Sequence, residues 1–392
     1  MTELKDQIIE GIQKIISERV KDIEPGLALF NVVSVMPFGS GAGNVISQVE
    51  TPPDCLRIAF NSQGSDLTRI KDSVDIIIPC GDPPYKGSAH DPEVGKQHID
   101  SVIDLTSEAI NTICKGRKIL DPDCIITIHS LGYGFGTGSI KPVLTKLKKD
   151  FPNTVLLPIA ITPFSIERGG IERAHEALGE ASKVTTVFVV SNETAAERLA
   201  GEPKSKESLE NMMKLPKPEV YERINFVITG IINGLINSLT STKAPLQSID
   251  RSDLRSIING PLGVISWAPL SSFEELKMDT INNAEKNEFF TLVGRKKFPE
   301  IPGIRGTYIV DAPGNISLAQ EKMLAEYLEN KYSADPAHIK PLQISRPDAG
   351  RGHIIFIKSG FGLGKEDGNI CGYFLRPDES TPVTKTTARR TR

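Results

Sequence analysis

Two glycine-rich loops carry the residues of this sequence best suited to binding an anion. Residues 132–139, GYGFGTGS, follow an apolar run at 124–128 and precede a helix-like segment. Residues 38–44, FGSGAGN, also follow an apolar run and open a helix. A strand that turns into a helix presents free backbone N–H groups, and the helix dipole adds to their attraction for phosphate. The pattern predicts a phosphate-binding site, with a purely structural turn as the alternative for either loop alone.

Two familiar nucleotide-binding patterns fit poorly. A Walker-type phosphate loop ends in Gly-Lys-Ser/Thr, but here Gly364-Lys365 is followed by Glu366. The spacing of the first loop is close to a dinucleotide fingerprint, yet the acid expected after the second strand is missing, since the chain has Asn61 and Ser62 there. A hydride-transferring Rossmann enzyme is therefore disfavoured.

Composition is that of an ordinary globular protein. The chain has 392 residues, with 46 Lys and Arg against 49 Asp and Glu, so its net charge is −3. The five cysteines are scattered without a C-x-x-C pair, which predicts neither a disulfide framework nor a zinc site. No apolar run approaches the roughly 20 residues that span a bilayer. These features predict a cytoplasmic protein without a transmembrane segment or a metal-ligating cluster.

The elements that must position the two loops form an α/β pattern. From residue 27 to about 200, short runs apolar at every position alternate with helical patterns, which predicts a doubly wound, Rossmann-like parallel sheet. A long, mostly apolar helix at 217–241 is expected to be buried between layers. An amphipathic helix precedes the sheet and packs on its own domain or on a neighbouring subunit.

A smaller α+β unit follows the long helix. Its strand-like runs include GVISWA, EFFTLVG, GTYIVDA and HIIFIKS, and the last segment is polar, basic and expected to be disordered. The predicted boundaries are an N-terminal helical extension at 1–26, a nucleotide-binding domain at 27–216, a central helix at 217–245, a C-terminal α+β domain at 246–378, and a tail at 379–392.

The two loops are part of a longer resemblance. GYGFGTGS resembles the G-G-G-T-G-S/T signature of the tubulin/FtsZ superfamily of polymerising GTPases, and FGSGAGN resembles the first phosphate loop of that family. Five further segments resemble the family in the same order along the chain, over roughly residues 28–360. They are IAFNSQGSDLTRI, GSAHDPEVG, TPFSIE, VVSNETAAERL and SIDRSDL, at 58–70, 87–95, 162–167, 189–199 and 248–254.

The resemblance implies that the chain binds GTP or GDP together with Mg²⁺. Asn192 would contact guanine, with helix capping as the alternative, and Asn225 is the nearest candidate for a second base contact. Glu167 would lie near the ribose, with a plain surface acid as the alternative. The phosphates would be held by the residues of the two loops, namely Gly39, Ser40, Gly41, Gly43, Asn44, Gly134, Phe135, Gly136, Thr137, Gly138 and Ser139.

Asp250 and Asp253 are the catalytic residues that the resemblance implies. In this family the loop after the central helix inserts into the nucleotide site of the next subunit, where its acids orient and polarise water. Hydrolysis would then require a head-to-tail homopolymer. Without the resemblance, the same residues are an ordinary helix start with capping acids. Ser248 stands where the family has asparagine, so that contact is in doubt.

Other departures leave the biological role open. Phe135 replaces a glycine of the signature, and its bulk is expected to reshape the phosphate loop or slow hydrolysis. The basic tail could contact an adaptor protein, whereas its four charges are too few for strong direct binding to nucleic acid. The expected function is a filament that serves cell division, cell shape or DNA segregation. The alternative is a GTP-binding regulator of the same fold that does not polymerise.

Overall fold

The computed structural model describes twelve stretches of the chain. They are residues 2–19, 30–199, 214–240, 251–258, 260–286, 289–290, 292–293, 305–314, 316–332, 339–345, 352–366 and 369–374. The predicted basic tail and Asp250 lie outside these residues.

The N-terminal half is a parallel sheet, as the apolar runs predicted. Its spatial order is β3-β2-β1-β4-β5-β6, and every neighbouring pair is parallel. β1 and β5 are buried at every position because helices cover both faces of the sheet. The strands are β1 Val32–Phe38, β2 Leu56–Asn61, β3 Ile76–Pro79, β4 Cys124–Ser130, β5 Val155–Thr162 and β6 Val187–Ser191.

Eight helices accompany these strands in the described part of the N-terminal half. The helix at residues 2–19 packs against the helix at residues 103–116 and against β3. Its residues Ile8, Ile12 and Ile16 are buried, so this helix covers its own domain. The helices are α1 Thr2–Arg19, α2 Ser40–Ile46, α3 Gly64–Ile70, α4 Pro92–Asp100, α5 Ile103–Gly116, α6 Phe135–Asp150, α7 Arg168–Ala181 and α8 Asn192–Leu199.

The predicted long central helix is α9, Lys217–Leu239. Its apolar residues join the largest core cluster, which also contains residues of β1, β4, β5 and β6 and of the C-terminal strands. The N–H of Phe30 donates to the carbonyl of Leu239 at 2.9 Å, which ties the end of the helix to the start of β1. The helix is therefore a shared core element of both halves.

The C-terminal unit is smaller and mixed, as expected. β11 lies antiparallel to β7, β9 and β12, whereas β10 runs parallel to β9. Its elements are α10 Arg251–Ile257, β7 Leu262–Leu270, a 3₁₀ turn Phe273–Glu275, α11 Met278–Lys286, β8 Leu292–Val293, β9 Arg305–Ala312, α12 Leu318–Tyr332, β10 Ile339–Ser345, β11 Gly352–Glu366 and β12 Asn369–Phe374.

The two halves share one sheet of twelve strands. β6 and β7 pair in parallel through Val187 with Leu262 and Phe188 with Gly263. The sequence suggested two domains because the long helix separates the strand runs, and it carried no signal for this lateral join. The predicted domain boundaries stay predictions. Among the described residues no helix is long and apolar enough to cross a membrane.

We expect the central helix to dominate stability. The Ile232→Ala variant should lower the free energy of unfolding by about 2–5 kcal/mol, because Ile232 is fully buried and its removal leaves a cavity in the largest cluster. The exposed Leu318→Ala variant is the control and should stay within about 0.5 kcal/mol. Urea unfolding measures both. Equal midpoints for the two variants would contradict the central role of the helix.

Candidate functional site

A cavity of about 680 Å³ lies at the carboxyl edge of the parallel sheet. Ligands of open α/β sheets bind outside the carboxyl ends of the strands, and this volume is within the usual range for small-molecule sites. The walls come from the two glycine loops, from the loops after β2, β3 and β5, and from one side of α9. The predicted site residues on these walls are Gly39, Ser40, Gly41, Asn44, Gly134, Phe135, Gly136, Glu167, Asn192 and Asn225.

The first loop needs glycine at its turn. Gly39 has a φ of +89° at the start of α2, and a Cβ there would lie 2.7 Å from Ser130 Oγ. The Gly39 N–H donates to the carbonyl of Phe60 at 3.2 Å, so the turn is anchored to β2. The turn places Ser40 and Gly41, the first residues of α2, on the cavity wall.

The second loop is pressed equally closely against the sheet. A Cβ on Gly136 would lie 2.1 Å from the carbonyl oxygen of Ser130. The loop opens α6, a helix of 16 residues whose N-cap residue, Gly134, provides no side-chain cap. The first N–H groups of a helix have no intrahelical acceptor, and the helix dipole makes this end positive. The cavity therefore offers backbone donors to an anion.

Phe135 does not fill the cavity with its ring. Its side chain is 5% exposed and belongs to the hydrophobic cluster that includes Ile99, Val102 and Val143. A Cβ on Gly95 of α4 would lie 2.4 Å from the carbonyl oxygen of Gly134, so α4 backs the loop very closely. Phe135 therefore packs behind the loop while still lining the cavity, and its effect on the phosphate loop and on hydrolysis stays a prediction.

Four predicted residues lie behind the cavity wall. The Thr137 hydroxyl accepts from the N–H of Gly132 at 2.9 Å, and the Ser139 hydroxyl donates to the carbonyl of Gly136 at 3.1 Å. Gly138 leaves room for α4, because a Cβ would lie 2.1 Å from the carbonyl oxygen of Pro92. The Gly43 N–H donates to the carbonyl of Gly39 at 2.9 Å. These residues shape the loops, and their predicted contact with phosphate stays a prediction.

Glu167 is the centre of a polar group at the other end of the cavity. Its Oε1 accepts from the Tyr221 hydroxyl at 3.2 Å and lies 3.5 Å from Lys217 Nζ. Its Oε2 is buried and has no hydrogen-bond partner among the described residues. A buried, unpaired carboxylate oxygen is costly, so this atom is suited to accept a hydroxyl of a ligand.

Two tyrosines beside Glu167 are held in their protonated form. Burial raises the pKa of Tyr133 to about 12, and the negative charge of Glu167 acts in the same direction. Burial and the charge of Glu167 also raise the pKa of Tyr221. Lys217 Nζ lies 5.5 Å from the ring centre of Tyr221. Both hydroxyls therefore remain hydrogen-bond donors at neutral pH.

Asp253 lies at the opposite end of the sheet. It is partly buried in the first turn of α10, and that helix contacts β5 and β9. Arg251 of the same helix pairs with Asp123, which immediately precedes β4, whereas the cavity lies beyond the other end of that strand. Seven strand residues span about 20 Å. The structure therefore does not bring Asp253 to the cavity of its own chain.

The model of the tubulin/FtsZ family GTPase domain matches residues 50–199. The matches support a tubulin/FtsZ superfamily member. It is 24% identical over 335 residues to cell division protein FtsZ 1 of Pyrococcus abyssi, covering 83% of this chain and 79% of that one. It is 26% identical over 237 residues to the tubulin-like protein CetZ of the same organism, covering 58% of each.

Solved structures of the superfamily share the fold. An empty FtsZ dimer from M. jannaschii superposes with a TM-score of 0.66 at 19% identity, covering 93% of this chain and 96% of that one. CetZ2 from Haloferax volcanii, a GTPγS-bound protofilament, gives 0.62 at 15% identity and covers 83% and 92%. At this identity the likeness establishes the fold alone.

Several residues that line the cavity had no sequence prediction. Lys86 is placed by its neighbours, because the Gly87 N–H donates to the carbonyl of Ser62 and the Gly64 N–H to that of Tyr85, each at 2.9 Å. Tyr221 lies one turn before Asn225, so helical spacing could have found it. The unpredicted lining residues with functional side chains include Gln63, Asp66, Lys86, His90, Tyr133, Lys217 and Tyr221.

The described residues contain no group of three or more His, Cys, Asp or Glu side chains able to hold a metal ion. Mg²⁺ rarely needs such a cage, since it is commonly bound by one or two carboxylates together with substrate phosphates and water. Asp66 provides a carboxylate on the wall beside Ser40, whose hydroxyl donates to it. The donor set fits an ion that enters with a phosphate ligand.

The second loop lies so close to the sheet backbone that adding one methyl group at Gly136 should destabilise the fold. The Gly136→Ala variant should lose about 1–3 kcal/mol of unfolding free energy, because its Cβ meets backbone that cannot move freely. Gly179→Ala on α7 is the matched control, since its Cβ would meet only a side-chain carbon at 3.7 Å. That variant should gain about 0.4–1 kcal/mol. Chemical denaturation gives both values, and similar values would refute the close approach.

Proposed function

We propose that this chain is a GTPase that assembles head to tail and hydrolyses GTP at the contact between two subunits. The observation that carries the proposal is a separation within one chain. The phosphate-binding cavity lies at the carboxyl edge of the parallel sheet, and the helix of Asp253 lies at the opposite edge. One subunit alone cannot bring the two together.

The cavity has a suitable arrangement for a nucleoside triphosphate. The phosphates would lie against the backbone donors of the loops that begin at Gly39 and Gly134, close to Lys86. The ribose would lie at Glu167, where the unpaired Oε2 can accept a hydroxyl proton. Mg²⁺ would enter with the phosphates near Asp66 and would neutralise part of their charge.

The base would lie between the start of α8 and the central helix. Asn192 is almost fully buried and Asn225 is half-buried, and both line this end of the cavity. An asparagine amide both donates and accepts, as the edge of guanine requires. The family match to a GTPase domain supports guanine as the base.

A second copy would complete the site. The edge that would dock is the one opposite the cavity, where the parallel strands begin. If that edge of one subunit docks on the cavity of the next, Asp253 and its predicted partner Asp250 approach the phosphates and can orient water. Such a contact is heterologous, so it repeats into a filament rather than closing into a dimer. The FtsZ dimer and the CetZ2 protofilament among the structural relatives support assembly of this kind.

The relatives also favour one biological setting. The curated sequences that match are named as cell division FtsZ proteins and as a tubulin-like CetZ. We therefore propose a cytoskeletal filament that serves cell division or cell shape, in preference to one that moves DNA.

The first test measures phosphate release from GTP across protein concentrations. Turnover per subunit should appear only above a critical concentration, because each site needs a neighbour. The Asp253→Ala variant should lose at least about 100-fold in turnover while GTP still binds, since the acid belongs to the other subunit. Asp279→Ala, an acid in the first turn of α11, is the matched control and should keep full turnover.

Two other outcomes would contradict the proposed mechanism. Turnover that does not depend on concentration would refute the shared site. GTP binding without turnover at any concentration would favour the regulator that does not polymerise.

The ribose contact is tested with a second substitution. Glu167→Gln should weaken the binding of GTP by about 10-fold or more, because it removes a charged acceptor. It should not change the affinity for 2′,3′-dideoxy-GTP, which has no hydroxyl to donate. Fluorescence titration of the four protein–nucleotide pairs measures the difference. An equal loss for both nucleotides would exclude a ribose contact.

A further inference from the structure

Two arginines attach the helix that carries Asp253 to the edge of the sheet at which β4 and β5 begin. Arg251 Nε lies 3.0 Å from Asp123 Oδ1, and Arg255 Nη2 donates to the backbone carbonyl of Asn153. Leu254 lies between them in sequence and is buried in the largest core cluster. Positions 251, 254 and 255 share one helical face. That face therefore has an apolar anchor flanked by two polar ones.

Arg251 and Arg255 together form a clamp on α10, and Asp123, the acceptor of Arg251, is itself held in place. Asp123 Oδ2 accepts from both the backbone N–H and the side-chain amide of Asn31, each at 2.9 Å. The Val155 N–H donates to the carbonyl of Asp123 at 2.9 Å, which ties the loop before β4 to the start of β5. An acceptor held in this way can orient the arginine that pairs with it, whereas a flexible acceptor could not.

A helix of this length needs such an attachment. α10 has seven residues, and an isolated helix that short is not stable in water. Leu254 alone would hold its position but would allow rotation about the helix axis. A rotation by one residue turns every side chain by about 100°, since a turn holds 3.6 residues. The two arginines on either side of Leu254 oppose that rotation.

Resting on the proposed function, we infer that Arg251 and Arg255 are positioning residues for hydrolysis. They fix the rotation of α10, and so set the direction in which Asp253 is presented to the cavity of the next subunit. Their contribution is to geometry more than to stability, because the side chain of Arg251 is 42% exposed and exposed ion pairs contribute little to folding.

The test compares the unmodified protein with the Arg251→Gln variant, the Arg255→Gln variant and the double variant. We expect turnover within the polymer to fall about 10- to 100-fold in the double variant, since small misplacements of a catalytic group have effects of that size. GTP affinity and the midpoint of thermal unfolding should stay unchanged. Arg251→Lys should recover part of the turnover because a lysine can still pair with Asp123.

Arg223→Gln is the control for loss of one positive charge. Arg223 pairs only with Glu219 on the exposed side of the central helix among the described residues, so turnover should stay unchanged. Hydrogen exchange gives a readout that does not depend on activity. Backbone amides of 251–257 should exchange faster in the double variant, whereas those of the central helix should not.

The outcomes separate the two proposals. If the unmodified protein hydrolyses GTP above a critical concentration and the double variant does so equally well, the positioning role is overturned and the proposed function stands. If the unmodified protein shows no such hydrolysis, the proposed function fails and the catalytic role of the clamp fails with it. Unchanged amide exchange at 251–257 would show that the arginines do not hold the helix, and would overturn the inference directly.

Discussion

The close approach of two glycine loops around Ser130 is the constraint on which the site depends. Ser130 ends β4, and any side chain at Gly39 or Gly136 would collide with its hydroxyl or its carbonyl oxygen. Because neither loop has a side chain at these points, the backbone of both loops forms part of the cavity wall. Backbone N–H groups at helix starts can then face a ligand directly. The proposed binding of an anion in the cavity rests on this packing more than on any charged residue.

The direction of the parallel strands accounts for the separation between the cavity and the helix of Asp253. All strands of the first half end at the cavity, so whatever precedes those strands lies at the far edge. Asp123 and Asn153 precede β4 and β5, and they receive the helix of Asp253. The same two strands therefore connect the phosphate loop at one end with the acidic helix at the other. A single rigid sheet separates two parts that chemistry would have to bring together, and a second copy is the simplest way to do so.

The sequence predicts the N-terminal half well because its strands are apolar on both faces and alternate with helices. It misses β10 and β12, since Pro341 and Gly372 interrupt runs that lie near the margins of the sheet. Within the site, the sequence showed the two glycine loops. It did not show the direction of the Thr137 and Ser139 side chains, because a hydroxyl in a loop can point toward the ligand or away from it. Lys86 reaches the cavity only through tertiary packing. The arginines that hold α10 at the opposite end of the sheet also find their acceptors only through tertiary packing. Asp250 lies outside the described residues.

Phe135 shows why a divergent sequence can keep this site. A bulky residue inside a glycine signature suggests a damaged loop when only the sequence is considered. Its ring instead joins the cluster under α4, where Gly95 makes room for the loop backbone. Since the donors at the cavity are backbone groups, the side chain at this position is free to vary as long as it packs behind the wall. What cannot vary is the absence of a Cβ at Gly39 and Gly136, and both positions are glycine here.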